Sequence, residues 1–256
     1  MTQHIHPTAQ TGFDRAAQAY TKGRPDYPSQ ALDFLASDLG FGPSTRLLDV
    51  GAGTGKFTHL LAQRRWNVTA VEPVAGMRAE FQKQVPDVKI FEGSAESLPF
   101  QDGAFDAIVV AQAFHWFRGR EALREFHRVL APGGRLVLIW NARDESVPWV
   151  QTLTALLAPF EGETPRYTSG RWREAFAQPS IFTPLHSKSF RHDQQGNVDI
   201  LVDRVASISF VAALDGPEKT ELLSNVRALG ESVAPDSTLT IPYRTDLYWC
   251  SKSAQA

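Results

Sequence analysis

Along this chain, compact apolar runs alternate with stretches in which apolar residues recur every three or four positions. Leu47, Leu48 and Val50 form a short strand-type run, and glycines at 51, 53 and 55 turn it into FTHLLAQRR, whose spacing is helical. A second run, VTAV at 68–71, ends in Glu72-Pro73 and leads into a helical pattern over 74–84. Residues 88–91, 105–110 and 135–140 read as the third, fourth and fifth strands, with a helix over 121–130 and the turn Ala131-Pro132-Gly133-Gly134 before the fifth. The fourth, FDAIVV, is continuously apolar, as strands buried on both faces are. Upstream, residues 28–39 set Leu32, Phe34, Leu35 and Leu39 on one helical stripe. Strands and helices alternating at this interval predict an α/β fold with a doubly wound parallel sheet.

After Asn141 the rhythm breaks. Residues 144–180 carry Trp149, Phe160, Tyr167, Trp172 and Phe176 on helical patterns interrupted by prolines, which predicts an insertion over the sheet's carboxyl edge. Residues 183–191 read as a sixth strand, 198–214 and 217–229 as helices, and 238–252 as an alternating strand that closes the sheet.

Composition narrows the ligand. A 256-residue chain with 43% hydrophobic residues can bury a large core, and a net charge of −2 offers no basic field for a polyanion. Nucleic acid is therefore not an expected partner, and the substrate expected is small. Cys250, the single cysteine, sits in an apolar run and reads as a packed residue. No apolar run approaches the about 18 residues of a membrane span, and the polar N-terminal stretch, with His4 and His6, reads as a leader; the expected location is the cytoplasm. No histidine–carboxylate cluster has ligand spacing, so no metal is expected.

The chemistry centres on the glycine turn. Glycine permits the tight turn and lets a ligand lie against bare peptide groups, while Asp49, two residues before, can hold the turn's N–H groups or face a cation. A P-loop needs a glycine where Val50 stands and Ser or Thr where Phe57 stands, so that reading fails. A dinucleotide turn has G-x-G-x-x-G, whereas this chain has G-x-G-x-G. Glu72, at the tip of the next strand, stands where an acid meets ribose hydroxyls, so the turn predicts a ribose-bearing ligand. Residues 13–27 read as a helix ending at Gly23 and Pro25, either packed on the domain edge or forming a lid with Tyr20, Arg24 and Tyr27 toward the ligand.

Residues 44–141 resemble the core of the class I S-adenosylmethionine-dependent methyltransferases. The resemblance is carried in order by LDVGAGTG, VEP, GSAESLPF, FDAIVVAQAFHWF and RVLAPGGRLVLIW. The lead FDRAAQAYTKGRPDYP and the segment AQAFHW are similar to the branch that includes trans-aconitate methyltransferase-like proteins. The resemblance implies a Rossmann-like sheet of seven strands with the last antiparallel. It implies a division into 1–143, a lid helix with the cofactor-binding half, and 144–256, a helical substrate cap with the remaining strands. It also implies S-adenosylmethionine as cofactor: Gly51, Ala52, Gly53 and Gly55 against its amino-acid part, Glu72-Pro73 at its ribose, Met77 on the adenine ring, Ser94, Ala95 and Glu96 bordering adenine, and Gln112 near the sulfonium. Many relatives carry Asp where this chain has Ser94, with Glu96 available as a substitute.

Methyl transfer is an in-line displacement, so the protein mainly aligns the reactants and excludes water. Aromatic faces of Tyr20, Phe114 or Trp116 can stabilise a sulfonium. A carboxylate acceptor, which favours O-methylation, wants cationic anchors such as Arg24, Arg143 or Arg171; a hydroxyl or amine wants His115 as base. His127 and Arg128 read as solvated or capping, and the tryptophans at 116, 149 and 172 as core. The rival readings are an NAD(P)-dependent oxidoreductase, since Glu72 would serve that ribose as well, and a non-catalytic regulator that binds S-adenosylmethionine. A monomer or homodimer is expected.

Overall fold

The computed structural model describes residues 24–177, 181–234 and 238–253. The expected helix over 13–22, with Tyr20, lies outside the described residues. Strands β1 (Arg46–Val50), β2 (Asn67–Val71), β3 (Ile90–Phe91), β4 (Phe105–Ala111), β5 (Leu130–Arg143), β6 (His186–Gly196) and β7 (Leu239–Ser251) form one sheet in the order β3-β2-β1-β4-β5-β7-β6. The first five pair in parallel, and β7 runs antiparallel between β5 and β6. The seven strands and the reversed last one match the expected Rossmann-like architecture.

Alternation along the strands divides the core in two. Leu48, Val50, Ile108, Val110, Leu136 and Leu138 face helix α4 (Gly119–Val129), which supplies Ala122, Leu123 and Phe126. Leu47, Val109, Val137 and Ile139 face the other way, onto α1 (Ser29–Ser37) and α2 (Lys56–Gln63). This is why FDAIVV shows no polar alternation: both of its faces are covered. Helix α3 (Ala75–Gln84) packs onto β2 by clustering Phe81 with Ala70.

A third cluster forms the cap. Helices α5 (Pro148–Glu161), α6 (Val198–Ala206), the short α7 (Ser209–Ala212) and α8 (Gly216–Val233) bury Leu153, Leu157, Leu201, Val205 and Val226 against Leu239, Ile241 and Tyr243 of β7. A 3-10 turn, Arg171–Phe176, completes the expected insertion and buries Trp172.

Four elements differ from the sequence reading. The Ala131-Pro132-Gly133-Gly134 turn is a bulge inside β5: pairing with β4 jumps from Phe105–Leu130 to Ala107–Arg135. The third strand has only its last two residues. The sixth starts and ends later than 183–191, because β6 is a largely exposed edge strand whose limits are set by its ladder with β7. The helix expected over 198–214 breaks at Ser207 and Ile208, where the Ser207 hydroxyl donates to the Arg204 carbonyl (2.8 Å) and Ile208 turns extended.

Candidate active site

The glycine turn lies at the carboxyl end of β1, and its peptide groups are held from β2. The Val71 carbonyl accepts from Gly51 and Ala52 N–H (2.9 and 3.1 Å), while Glu72 accepts from Gly53 and Val74 N–H, each 2.9 Å. Burial pushes the Glu72 carboxyl up from its ordinary range, and those two N–H groups with Arg78 pull it back. Asp49 does not hold the turn's N–H groups. One oxygen accepts from Thr58 Oγ1 (2.6 Å), and the other is buried with no hydrogen-bond partner. Burial raises this carboxyl to about 7, with the Glu72 charge adding to the shift.

The three glycines have different jobs. A Cβ at Gly55 would stand 2.8 Å from Phe81 and Val85, and one at Gly51 2.9 Å from Ala113. Both let neighbouring elements close on the turn. Gly53, at φ +58°, would meet nothing within 4 Å. It is the point where a ligand can lie on bare backbone.

Above this turn sits a cavity of about 50 Å³, bordered by Gly51, Ala52, Gly53, Tyr27, Lys56 and Gln112 among others. Gln112 follows β4 in the left-handed region (φ +60°), a strained position for a residue with a side chain, and its N–H donates to the Ile139 carbonyl (2.9 Å). Tyr27 is packed edge-on to Phe57 at 4.7 Å. Glu72, Pro73, Met77, Ser94, Ala95 and Glu96 do not border this cavity. Met77 and Ala95 are buried, Ser94 bridges Ser97, and Glu96 accepts the Arg118 N–H (2.9 Å), which anchors the start of α4.

A second cavity, about 130 Å³, adjoins the first: Arg24, Gln112, Asn141 and Arg204 line both. Its charged lining is four arginines, Arg24, Arg143, Arg166 and Arg204, to one glutamate, Glu145. Arg166 is paired with Glu161, and Arg24 donates to the Ser207 carbonyl (3.4 Å). Arg204, 8% exposed, keeps Nε and Nη1 buried without acceptors, and Arg143 keeps Nε so. Burial brings the Arg143 guanidinium down to about 10, and the positive charge of Arg204 adds to the effect.

His115 and Trp116 also line this chamber. The Trp140 indole N–H donates to His115 Nδ1 (3.2 Å), so the neutral ring carries its proton on Nε2. Burial, then Arg24 and Arg166, lower its pKa to about 3. The cap is latched above it: Tyr167 stacks on Trp140 (4.7 Å), and its hydroxyl donates to the Asp246 carboxylate (2.6 Å).

The remaining expectations sort by position. Arg171 is exposed and lies outside the chamber, Phe114 is 1% exposed in the core, and Trp172 is core as expected. Arg128 is neither solvated nor a cap, since it donates to the Leu98 and Phe100 carbonyls and ties down the LPF segment. Arg166 and Arg204 were missed. Arg204 had a signal, because it falls on the apolar stripe of Leu201, Val205 and Ile208, where an arginine needs a reason. Arg166 sits in a loop without periodicity and had none.

Residues 48–138 match a family described as a methyltransferase domain. An uncharacterized methyltransferase of Mycobacterium tuberculosis is 36% identical over 236 residues, covering 91% of this chain and 92% of the relative. A methyltransferase-like protein of Schizosaccharomyces pombe, also uncharacterized, is 32% identical over 215 residues and 84% of each chain. Among solved structures, a Haemonchus contortus N-methyltransferase in complex with phosphomonomethylethanolamine and S-adenosylhomocysteine shares the fold at 15% identity (TM-score 0.57; 98% of this chain, 60% of that one). The oxidoreductase and non-catalytic readings fall away with these relatives: the chain belongs to the methyltransferase family and is a class I, S-adenosylmethionine-dependent enzyme.

Proposed function

We propose that the enzyme methylates a carboxylate oxygen of a small-molecule acceptor held in the arginine chamber. The observation that carries this is the pair Arg143 and Arg204, whose buried N–H groups lack acceptors: both line the chamber, and Arg204 also borders the cavity above the glycine turn. Guanidinium groups crowded out of water are costly until an anion joins them, and a carboxylate matches their planar fork. The resemblance to the trans-aconitate methyltransferase-like branch agrees with this reading.

The residues present fit S-adenosylmethionine. Gly53 leaves open the space a side chain would fill, and Glu72 keeps lone pairs for ribose hydroxyls while it holds the turn. Met77, Ala95 and Glu96 follow the tips of β2 and β3, where an adenine ring would be bordered, and Gln112 stands between the two cavities. When bound, this cofactor supplies a methyl group activated on a sulfonium, displaced by the nucleophile with the C–S electron pair remaining on sulfur.

An ionised carboxylate has no proton to lose, so the chain needs no general base. His115 fits that requirement: its Nδ1 is engaged by Trp140 and its ring is held neutral, so Nε2–H donates toward the acceptor rather than abstracting from it. The arginines neutralise and orient the acid, Trp116 lines the chamber wall, and the latched cap keeps water out.

Incubation with tritiated-methyl cofactor and a panel of acids, each beside its neutral amide, tests the proposal. Labelled esters should form from the acids, with the amides unlabelled; equal labelling of amides, or labelling of amines or phenols in preference, would contradict it.

A further inference from the structure

The arginine chamber is small. At about 130 Å³ it falls below the range of ordinary ligand sites. Beside it lies a cleft of about 730 Å³, within the size range of ordinary ligand sites. His115, Thr164, Pro165, Arg166 and Thr168 line both spaces, so the two share one wall.

The two spaces differ in charge and chemistry. Where the chamber has four arginines to one glutamate, the cleft has three arginines, Arg120, Arg166 and Arg171, to four glutamates, Glu121, Glu161, Glu163 and Glu174. An anionic end is drawn into the chamber and gains nothing in the cleft. Phe117, half-buried, stands at the cleft's inner side and adjoins the core residue Phe114 at 5.9 Å, while the rest of the exposed lining is mostly polar. The side formed by the 3-10 turn is held close. A Cβ at Gly119 would stand 2.6 Å from that of Ala175, so the glycine lets this turn seat against the start of α4.

We infer that the cleft between the Glu161–Ser169 loop, the 3-10 turn and the start of α4 is a second subsite, which takes the uncharged body of the acceptor. Its acid group then reaches past His115 into the chamber. The substrate class is a carboxylic acid with an extended uncharged body, rather than a compact acid. This inference rests on the carboxylate reading of the chamber.

The experiment compares methyl transfer to acetate and succinate with transfer to octanoate and 4-phenylbutyrate, in the natural enzyme and in Glu163→Trp and Glu174→Trp. Both glutamates are exposed, line the cleft and lie outside the chamber, so each tryptophan narrows the cleft independently of the other. The expected kcat/KM ratio of long to short acids is at least tenfold in the natural enzyme, and each variant lowers that ratio at least fivefold. Equal use of long and short acids, or a ratio that neither variant moves, overturns the subsite and leaves the chamber intact. Methylation of no acid by an enzyme that binds the cofactor overturns the carboxylate reading and the subsite together.

Discussion

Single positions show how far residue type constrains role. Three glycines in one turn looked equivalent in sequence, yet only Gly53 faces open space, while Gly51 and Gly55 are shaped by neighbours from other parts of the chain. The spacing G-x-G-x-G identifies a turn; which glycine is also needed for close packing depends on Ala113, Phe81 and Val85, whose approach no local pattern encodes. Gly53→Val is therefore expected to cost at least about 100-fold in S-adenosylmethionine affinity by calorimetry. The left-handed backbone adds only ~1–2 kcal/mol of strain, so the protein stays folded with a modest fall in Tm. Unchanged affinity would remove the cofactor from this turn. His115 makes the same point: its place after the fourth strand was legible, but its tautomer follows from Trp140, which lies 25 residues away.

At the level of elements, the half of the chain that alternates buried strands with amphipathic helices was readable because each segment carries its own period. Where partners set the limits, as in β6 against β7 or the break between α6 and α7, periodicity had no information to give. Asp49 and Thr58 join β1 to α2, and their bond has a pH signature. The unfolded carboxyl loses its proton near pH 4, whereas burial holds the folded one until about 7. Between those values the native state binds more protons, so this group's contribution to stability falls as pH rises. In urea titrations, the stability of Asp49→Asn relative to the natural chain should climb from pH 4 to 7, by up to about 4 kcal/mol. A difference that is flat or shrinks across that window would contradict a buried, reluctantly ionised Asp49.

For the molecule as a whole, bulk charge concealed the feature that matters most. A net charge of −2 offers no basic field for a polyanion, yet the fold gathers arginines from before β1, from β5, from the cap loop and from α6 into one chamber. These four stand at 24, 143, 166 and 204, too far apart for any local motif. The cap positions two of them. Among the described residues, no helix is long and apolar enough to cross a membrane.

The most direct test is the kinetics of Arg204→Met with the best carboxylate acceptor, beside calorimetry of S-adenosylmethionine binding to the same variant. Removing one partner of a buried charge pair costs about 2–5 kcal/mol, so kcat/KM for the acid should fall at least about 30-fold while cofactor affinity stays within about threefold. Transfer to the acid at the natural rate, or a loss confined to cofactor binding, would contradict the account.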